Sequence, residues 1–294
     1  MLFSLFISPV FATEINNPAT CDSGTLSTDT GPTNLRANYE SNQLNLKWYD
    51  DDYNRINVSS TSSDSCTYGG AINLPTPPTK TGYTFKGWKV IKYTPIEYIE
   101  GNGSQWIDTG IVLQNATYDT EIMPSTVSES NRIIGYAYND GTVQYRMYVA
   151  ISSHNGGILA FGFSNGNNNT SYGYNYLSSR ALRVGVKSHV NAVFTSSDAT
   201  LTIDDVQQVR SVGGQRNDPI SIGICGLHNT TAAQSEYGFK GKTYYVKIYD
   251  GNNVLVGDYI PVKDSNGVAC MYDKVTGNFF YNAGTGNFIA GPDL

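Results

Sequence analysis

The sequence predicts an all-β protein of antiparallel strands, with a large sandwich or barrel behind a small N-terminal β module, and three observations carry that expectation. Hydrophobic residues make up 39% of the chain and charged residues only 15%, with 22 Tyr and 30 Gly; this composition favours short strands joined by tight turns. From Tyr93 on, strand-sized apolar segments follow one another with turn residues between them. No segment sustains the 3.6-residue apolar period of a helix. A chain of 294 residues has room for one large β domain of about 200 residues and a smaller companion.

In the large domain the expected strands are 117–123, 132–138, 143–151, 158–163, 190–195, 199–203, 220–225, 242–249, 254–260 and 269–273. Between them stand Asn139-Asp140-Gly141, Asn155-Gly156-Gly157, Asp250-Gly251-Asn252-Asn253 and Ser265-Asn266-Gly267, residues that tolerate positive φ and so close hairpins. Upstream, Leu44, Leu46 and Trp48 alternate with Asn45 and Lys47, the period of a half-buried strand, and Asp50-Asp51-Asp52 ends it. The stretch 13–34 is polar and poor in apolar residues, so it reads as a tether. Before it, the apolar run Leu2–Ala12 ends in small residues at Val10 and Ala12. That is the pattern of a signal peptide, 1–12, cut after Ala12. The run is too short to span a bilayer, and no later stretch reaches the roughly 18 to 20 apolar residues needed.

A net charge of -6 and only 19 Lys plus Arg leave no electrostatic footprint for a phosphate backbone, which argues against nucleic acid as a partner. Cys21, Cys66, Cys225 and Cys270 lie 45, 159 and 45 residues apart. No C-x-x-C pair occurs, which argues against zinc held by sulfur. In an oxidising compartment the equal spacings suggest Cys21 with Cys66 and Cys225 with Cys270, and four free thiols are the alternative.

Two resemblances sharpen this outline. The run Leu74-Pro75, Pro77, Gly82-Tyr83, Phe85, Gly87-Trp88 resembles the Listeria-Bacteroides repeat of internalin-type bacterial surface proteins. The resemblance implies a β-grasp-like module over 35–92 that serves as spacer or adhesive element without catalytic role. Farther on, His189–Phe194 followed by Leu201-Thr202-Ile203-Asp204-Asp205, and the run from Phe239 to Asp250, resemble concanavalin-like and laminin-G-like jelly rolls. Asp205 stands where that pattern has glycine, which a tight turn accepts more readily. The frame of the region, Ile96–Gly110 at its start and Asp258–Val262, Tyr272-Asp273-Lys274 and Asn282–Gly286 at its end, looks like a lectin-like domain of gut-bacterial surface and phage-associated proteins. These likenesses imply a jelly-roll β-sandwich over 93–294.

Chemistry is sparse. No Glu-x-Asp-x-x-Glu run supplies the paired carboxylates of a jelly-roll glycosidase. The nearest pair is Asp119 and Glu121, which share a strand face and read as its solvated side once Tyr118, Thr120 and Ile122 pack inward. Glu97 and Glu100 are weaker candidates. His154, His189 and His228 accompany no nucleophile elbow. Cofactors are expected to be none, with calcium at Asp50–Asp52, Asp204-Asp205 or Asp250–Asn253 the one to consider, although turn chemistry also accounts for all three. Sugar recognition needs exposed aromatic faces beside amides, and the candidates are Trp106, Tyr136, Tyr138, Tyr145, Tyr172 and Tyr174, the last two in the polar tract 164–176. Tyr148 cannot share the face of Tyr145. The expectation is a secreted or cell-surface, non-catalytic binding protein for a glycan or a surface protein. A structural or adhesive spacer is the alternative, and a glycan hydrolase comes third.

Overall fold

The structure, a computed structural model, describes residues 3–7, 43–49, 56, 65–67, 74–76, 79, 81–82, 84–85, 88–91, 93–127, 131–139, 144–152, 158–165, 175–211, 220–230 and 238–294, some by backbone alone. Every regular element among them is a β-strand. Two compact units emerge: 1–95 with 263–268 and 293–294, and 96–262 with 269–292.

The first unit holds β1 (Phe3–Ile7), β2 (Gln43–Tyr49), β3 (Ser65–Thr67), β4 (Trp88–Ile91) and the short β5 (Thr94–Pro95). A four-stranded sheet runs β3-β2-β1-β4, antiparallel except for the parallel pair β1 and β4. Trp48 of β2 is buried, 1% exposed. The run expected as leader therefore supplies a strand here, because its apolar residues pair with β2 and β4. The cleavage site at Ala12, the tether 13–34, Asp50–Asp52 and Cys21 lie outside the described residues.

The second unit begins with β6 (Ile99–Asn102), β7 (Ile107–Asp108), β8 (Ala116–Pro124), β9 (Arg132–Asn139), β10 (Gln144–Ser152), β11 (Ile158–Asn165) and β12 (Asn175–Ala181). Next come β13 (Ser188–Phe194), β14 (Asp198–Ile203), β15 (Val206–Ser211), β16 (Gly223–Ile224) and β17 (His228–Asn229). It ends with β18 (Lys240–Asp250), β19 (Leu255–Lys263), β20 (Ala269–Asp273), β21 (Asn278–Phe280) and β22 (Ile289–Ala290). One sheet runs β12-β11-β10-β9-β16-β7, and the larger runs β15-β14-β13-β8-β18-β19-β20-β21 with β6 beside β18 and β22 beside β6. One hydrophobic cluster joins the two, drawing Tyr118, Ile122, Phe194, Leu201 and Ile248 from the larger sheet and Ile134, Tyr136, Met147 and Val149 from the other. Two sheets over one core, antiparallel except where the short β17 runs parallel to β9, make the β-sandwich the periodicity called for.

Strand β8 shows why. Its strict alternation of buried and half-buried residues sends Tyr118, Thr120 and Ile122 inward, each at most 1% exposed, and Asp119 and Glu121 outward. Strands β6, β7, β12, β17, β21 and β22 are not among those expected, and two further departures have a local cause. Of the stretch 220–225 only Gly223–Ile224 forms a strand, since Cys225 turns away at φ 56. Strand β15 carried no clear alternation, yet it forms because Asp204 and Asp205 take φ 41 and 72. Positive φ at both central residues is the two-residue hairpin geometry, made here without glycine.

Candidate functional site

Burial removes the foremost aromatic candidates. Trp106 is 4% exposed and Tyr136 0%, so neither offers a ring face to a sugar. Tyr136 faces the core because it follows Ile134 at strand period, and Tyr138, on the same side, packs partly buried against that core. Tyr148, at 3%, joins Ala137, Ala150 and Leu227 in a small cluster. The side chain of Tyr145 and all of Tyr172 and Tyr174 lie outside the described residues, as does His154.

The cysteine pairing is also corrected. Cys225 and Cys270 are buried thiols not joined to each other: Cys225 follows β16 in the smaller sheet, whereas Cys270 belongs to β20 of the larger. Burial pushes the Cys225 thiol up to about 12, against a lowering by its hydrogen bond with Thr243. Cys66 lies in β3, with its side chain not described.

Trp106 instead anchors a clasp between the two ends of the second unit. Its backbone N–H donates to Asn282 Oδ1 at 3.1 Å, its carbonyl accepts from Ala283 N at 2.8 Å, and Thr285 N donates to Ser104 O at 3.0 Å. Gln105 Nε2 adds a bond to Thr285 O at 3.1 Å. The opening and closing motifs of the region thus meet each other and hold the domain shut.

Beside this clasp, Asp108, Ser221 and His228 come together although 120 residues separate the first from the last. Ser221 Oγ donates to Asp108 Oδ1 at 2.5 Å and lies 2.9 Å from His228 Nδ1. The His228 ring packs on Trp106 with centroids 4.8 Å apart. This is not a hydrolase triad. His228 Nδ1 also lies 3.2 Å from Ser221 O, and a carbonyl only accepts, so Nδ1 carries its proton. The nitrogen facing the serine is therefore a donor and cannot take the hydroxyl proton, as a general base must.

The acidic pair on β8 is likewise committed. Lys187 Nζ reaches Glu121 at 2.9 Å and His189 Nε2 lies 3.3 Å from Asp119, all on a half-exposed face. Of the calcium candidates, Asp250 Oδ1 accepts from Asn252 N and Val254 N, both at 2.9 Å. Asp204 Oδ1 accepts from His189 N at 2.9 Å. The first carboxylate caps its own turn and the second ties the hairpin to β13, and among the described residues no three His, Cys, Asp or Glu side chains gather as a metal site.

A groove of about 400 Å³ lies at one end of the larger sheet, where β8 begins and β13 and β18 end. Asn115, Thr117, Thr195, Ser196, Asp250 and Asn253 supply its polar lining, and Val193 and Phe194 its apolar part. Thr195 Oγ1 is spent on its own turn, accepting from Asp198 N at 2.9 Å. Asn115 and Thr117 are half-buried and their side chains make no hydrogen bond among the described residues. Sequence reading missed this groove, because its lining comes from three turns whose residues look like ordinary turn formers.

Residues 48–98 match the Listeria-Bacteroides repeat domain family, and no curated protein matches the chain. Among solved structures, a candidate carbohydrate-binding protein from Bacteroides ovatus is 13% identical over 86% of this chain and 68% of its own, with a TM-score of 0.44. A heptameric SAP-like pentraxin from Limulus polyphemus is 11% identical over 69% of this chain and 96% of its own, at 0.43. Domains LG4-5 of the mouse laminin alpha1 chain are 11% identical over 86% and 72%, at 0.42. The part of this chain that is similar to a named family is therefore residues 48–98.

Proposed function

We propose that this chain is a non-catalytic carbohydrate-binding protein acting outside the cell or at its surface, with the groove at the end of the larger sheet as its binding site. The observation that carries the reading is the lining: side-chain amides and hydroxyls, two of them without a hydrogen-bond partner among the described residues, around an apolar wall. Sugar hydroxyls donate and accept at once, as amides and hydroxyls do, so such a lining satisfies them in both senses. The groove has one carboxylate, Asp250, where glycoside hydrolysis uses two. The match of 48–98 to a repeat domain supports the surface address. Among the described residues no helix is long and apolar enough to cross a membrane.

A glycan array probed with the full chain, followed by calorimetry on the best neutral ligand, tests the site. Asn115→Ala and Thr117→Val should each weaken binding by about tenfold, the worth of one lost hydrogen bond, with the fold intact. Binding that survives both substitutions would place the site elsewhere. Release of reducing ends from any array ligand, abolished by Glu121→Gln, would make the protein an enzyme.

A further inference from the structure

Strand β18 reaches the groove one residue out of step. Its pairing with β8 sets Thr243 opposite Ile122 and Tyr245 opposite Glu121, so Tyr244 is the extra residue of a β-bulge. The buried Thr120 supports the bulge from the core side, its hydroxyl donating to Tyr245 O at 2.6 Å. From Tyr245 on, each residue is displaced by one place, and Asp250 rather than Tyr249 stands opposite Ala116, itself part of the groove. A bulge forfeits regular pairing and is retained where a strand must re-aim a side chain. Here it brings a carboxylate into a lining otherwise made of amides, hydroxyls and apolar groups.

That carboxylate is half used. Its Oδ1 accepts from Asn252 N and Val254 N, both at 2.9 Å, whereas Oδ2 has neither hydrogen bond nor ion pair among the described residues. The Asn115 amide lies against the same turn: a Cβ on Gly251 would stand 3.1 Å from the Asn115 Cβ and 3.6 Å from its Nδ2. No Lys, Arg or His lines the groove. On the strands that form it, Lys187 and His189 stand beside the far end of β13, paired with Glu121 and Asp119, and Lys240 and Lys242 open β18. Lys247 leans to Tyr245, 5.7 Å from its ring centroid, in register between Asp119 and Asp258. A second acid, Asp198, follows the Thr195-Ser196 turn of the lining. It accepts from Ser197 Oγ at 2.8 Å and has no ion pair among the described residues. The groove end is therefore negative, and its spare groups include the acceptors Asp250 Oδ2, Asn115 Oδ1 and Thr117 Oγ1.

We infer that the groove takes an amino sugar whose amine is free and protonated, seated with its ammonium on Asp250 and the apolar face of its ring against Val193. This rests on the groove being the sugar site and names the class of sugar. An ammonium offers three donors and no acceptor, which matches a lining whose charged group only accepts. A charge-assisted N–H···O bond is roughly twice as strong as a neutral one, and a neutral hexose gives Asp250 hydroxyls alone. Acetylation of the amine removes the charge and leaves one donor, and a uronic acid would bring a like charge to Asp250. A lysine side chain has the same head group but no ring hydroxyls for Asn115 and Thr117.

Calorimetry of the full chain with the β-1,4-linked trimers of glucosamine, N-acetylglucosamine and glucose tests this, at about pH 6, where a free amine is protonated, and with EDTA present. The glucosamine trimer should bind wild type at least about tenfold more tightly than the other two, and the margin should narrow as salt rises. Asp250→Asn keeps an oxygen for the two N–H donors of the turn but removes the charge, and should erase the margin. Asp205→Asn removes the same charge from the hairpin at the other end of β14 and should preserve it, which tells a seat from an effect of net charge. Asn115→Ala should weaken all three trimers. Equal affinity for the three on wild type, a margin that survives Asp250→Asn, or equally tight capture of trilysine would overturn the amino-sugar inference. So would failure of all three trimers while another, neutral glycan binds in a manner Asn115→Ala weakens, and that result would leave the groove standing. Affinities that Asn115→Ala leaves unchanged would overturn the groove and this inference with it. Unchanged thermal unfolding of each variant guards against misfolding, and the comparison on wild type requires no variant.

Discussion

Replacing Gly284 with alanine should loosen the clasp that joins the ends of the second unit. A Cβ there would stand 2.1 Å from Ser104 O and 3.0 Å from Trp106 Cδ1, and backbone oxygen at 2.1 Å cannot be accommodated without moving the chain. Relief requires the loop 282–286 to withdraw by about an ångström, which strains the four bonds linking it to 104–106. At about 0.5–1.5 kcal/mol net for each bond, full loss would cost roughly 2–6 kcal/mol, and partial rearrangement makes about 3 kcal/mol the expected value. For a unit of this size that lowers Tm by roughly 6–12 °C. Thermal unfolding should be followed by tryptophan fluorescence, since withdrawal of the loop uncovers Trp106 and shifts its emission to the red. Gly185→Ala is the control: Gly185 has φ +73 but open space around its Cβ position, so it reports backbone strain alone, about 1 kcal/mol. A Gly284→Ala protein no less stable than this control, with unshifted emission, would refute the clasp.

Two further outcomes follow from the geometry. Asp205→Gly should stabilise the protein by about 1 kcal/mol, because glycine takes the φ of 72 without the penalty a Cβ brings; denaturant midpoints check this, and destabilisation would show that the Asp205 side chain supports the turn. The buried Cys225 thiol, raised from 9.0 to about 12, titrates in the unfolded chain before it does in the folded one. Its stabilising effect is complete below pH 9 and is lost as pH rises from 9 toward 12. Between pH 9 and 10, ahead of most tyrosine ionisation, the denaturant midpoint of wild type should fall more steeply than that of Cys225→Ala, and parallel slopes would mean the thiol is solvated.

Alternation decided β8 before any coordinates: Tyr118, Thr120 and Ile122 on one side and Asp119 and Glu121 on the other follow from a period of two over nine residues, and the same logic made the domain all-β. Sequence also marked Ile96–Gly110 and Asn282–Gly286 as the frame of the region. What it could not contain is that these two segments touch, because contacts across 180 residues are not a local property. That contact turned Trp106 from a ligand candidate into a buried anchor. The bulge at Tyr244 escaped for a related reason: an extra residue is defined by its partner strand, so Tyr244-Tyr245 read as ordinary alternation until Ile122 and Glu121 fixed the register. Likewise, Asn115, Thr117 and Asp250 share a groove only because β8, β13 and β18 are neighbours in one sheet. Period and turn chemistry act between adjacent residues and are written in the chain, whereas register and the meeting of loops depend on which strands pair, and that is settled only when the core closes.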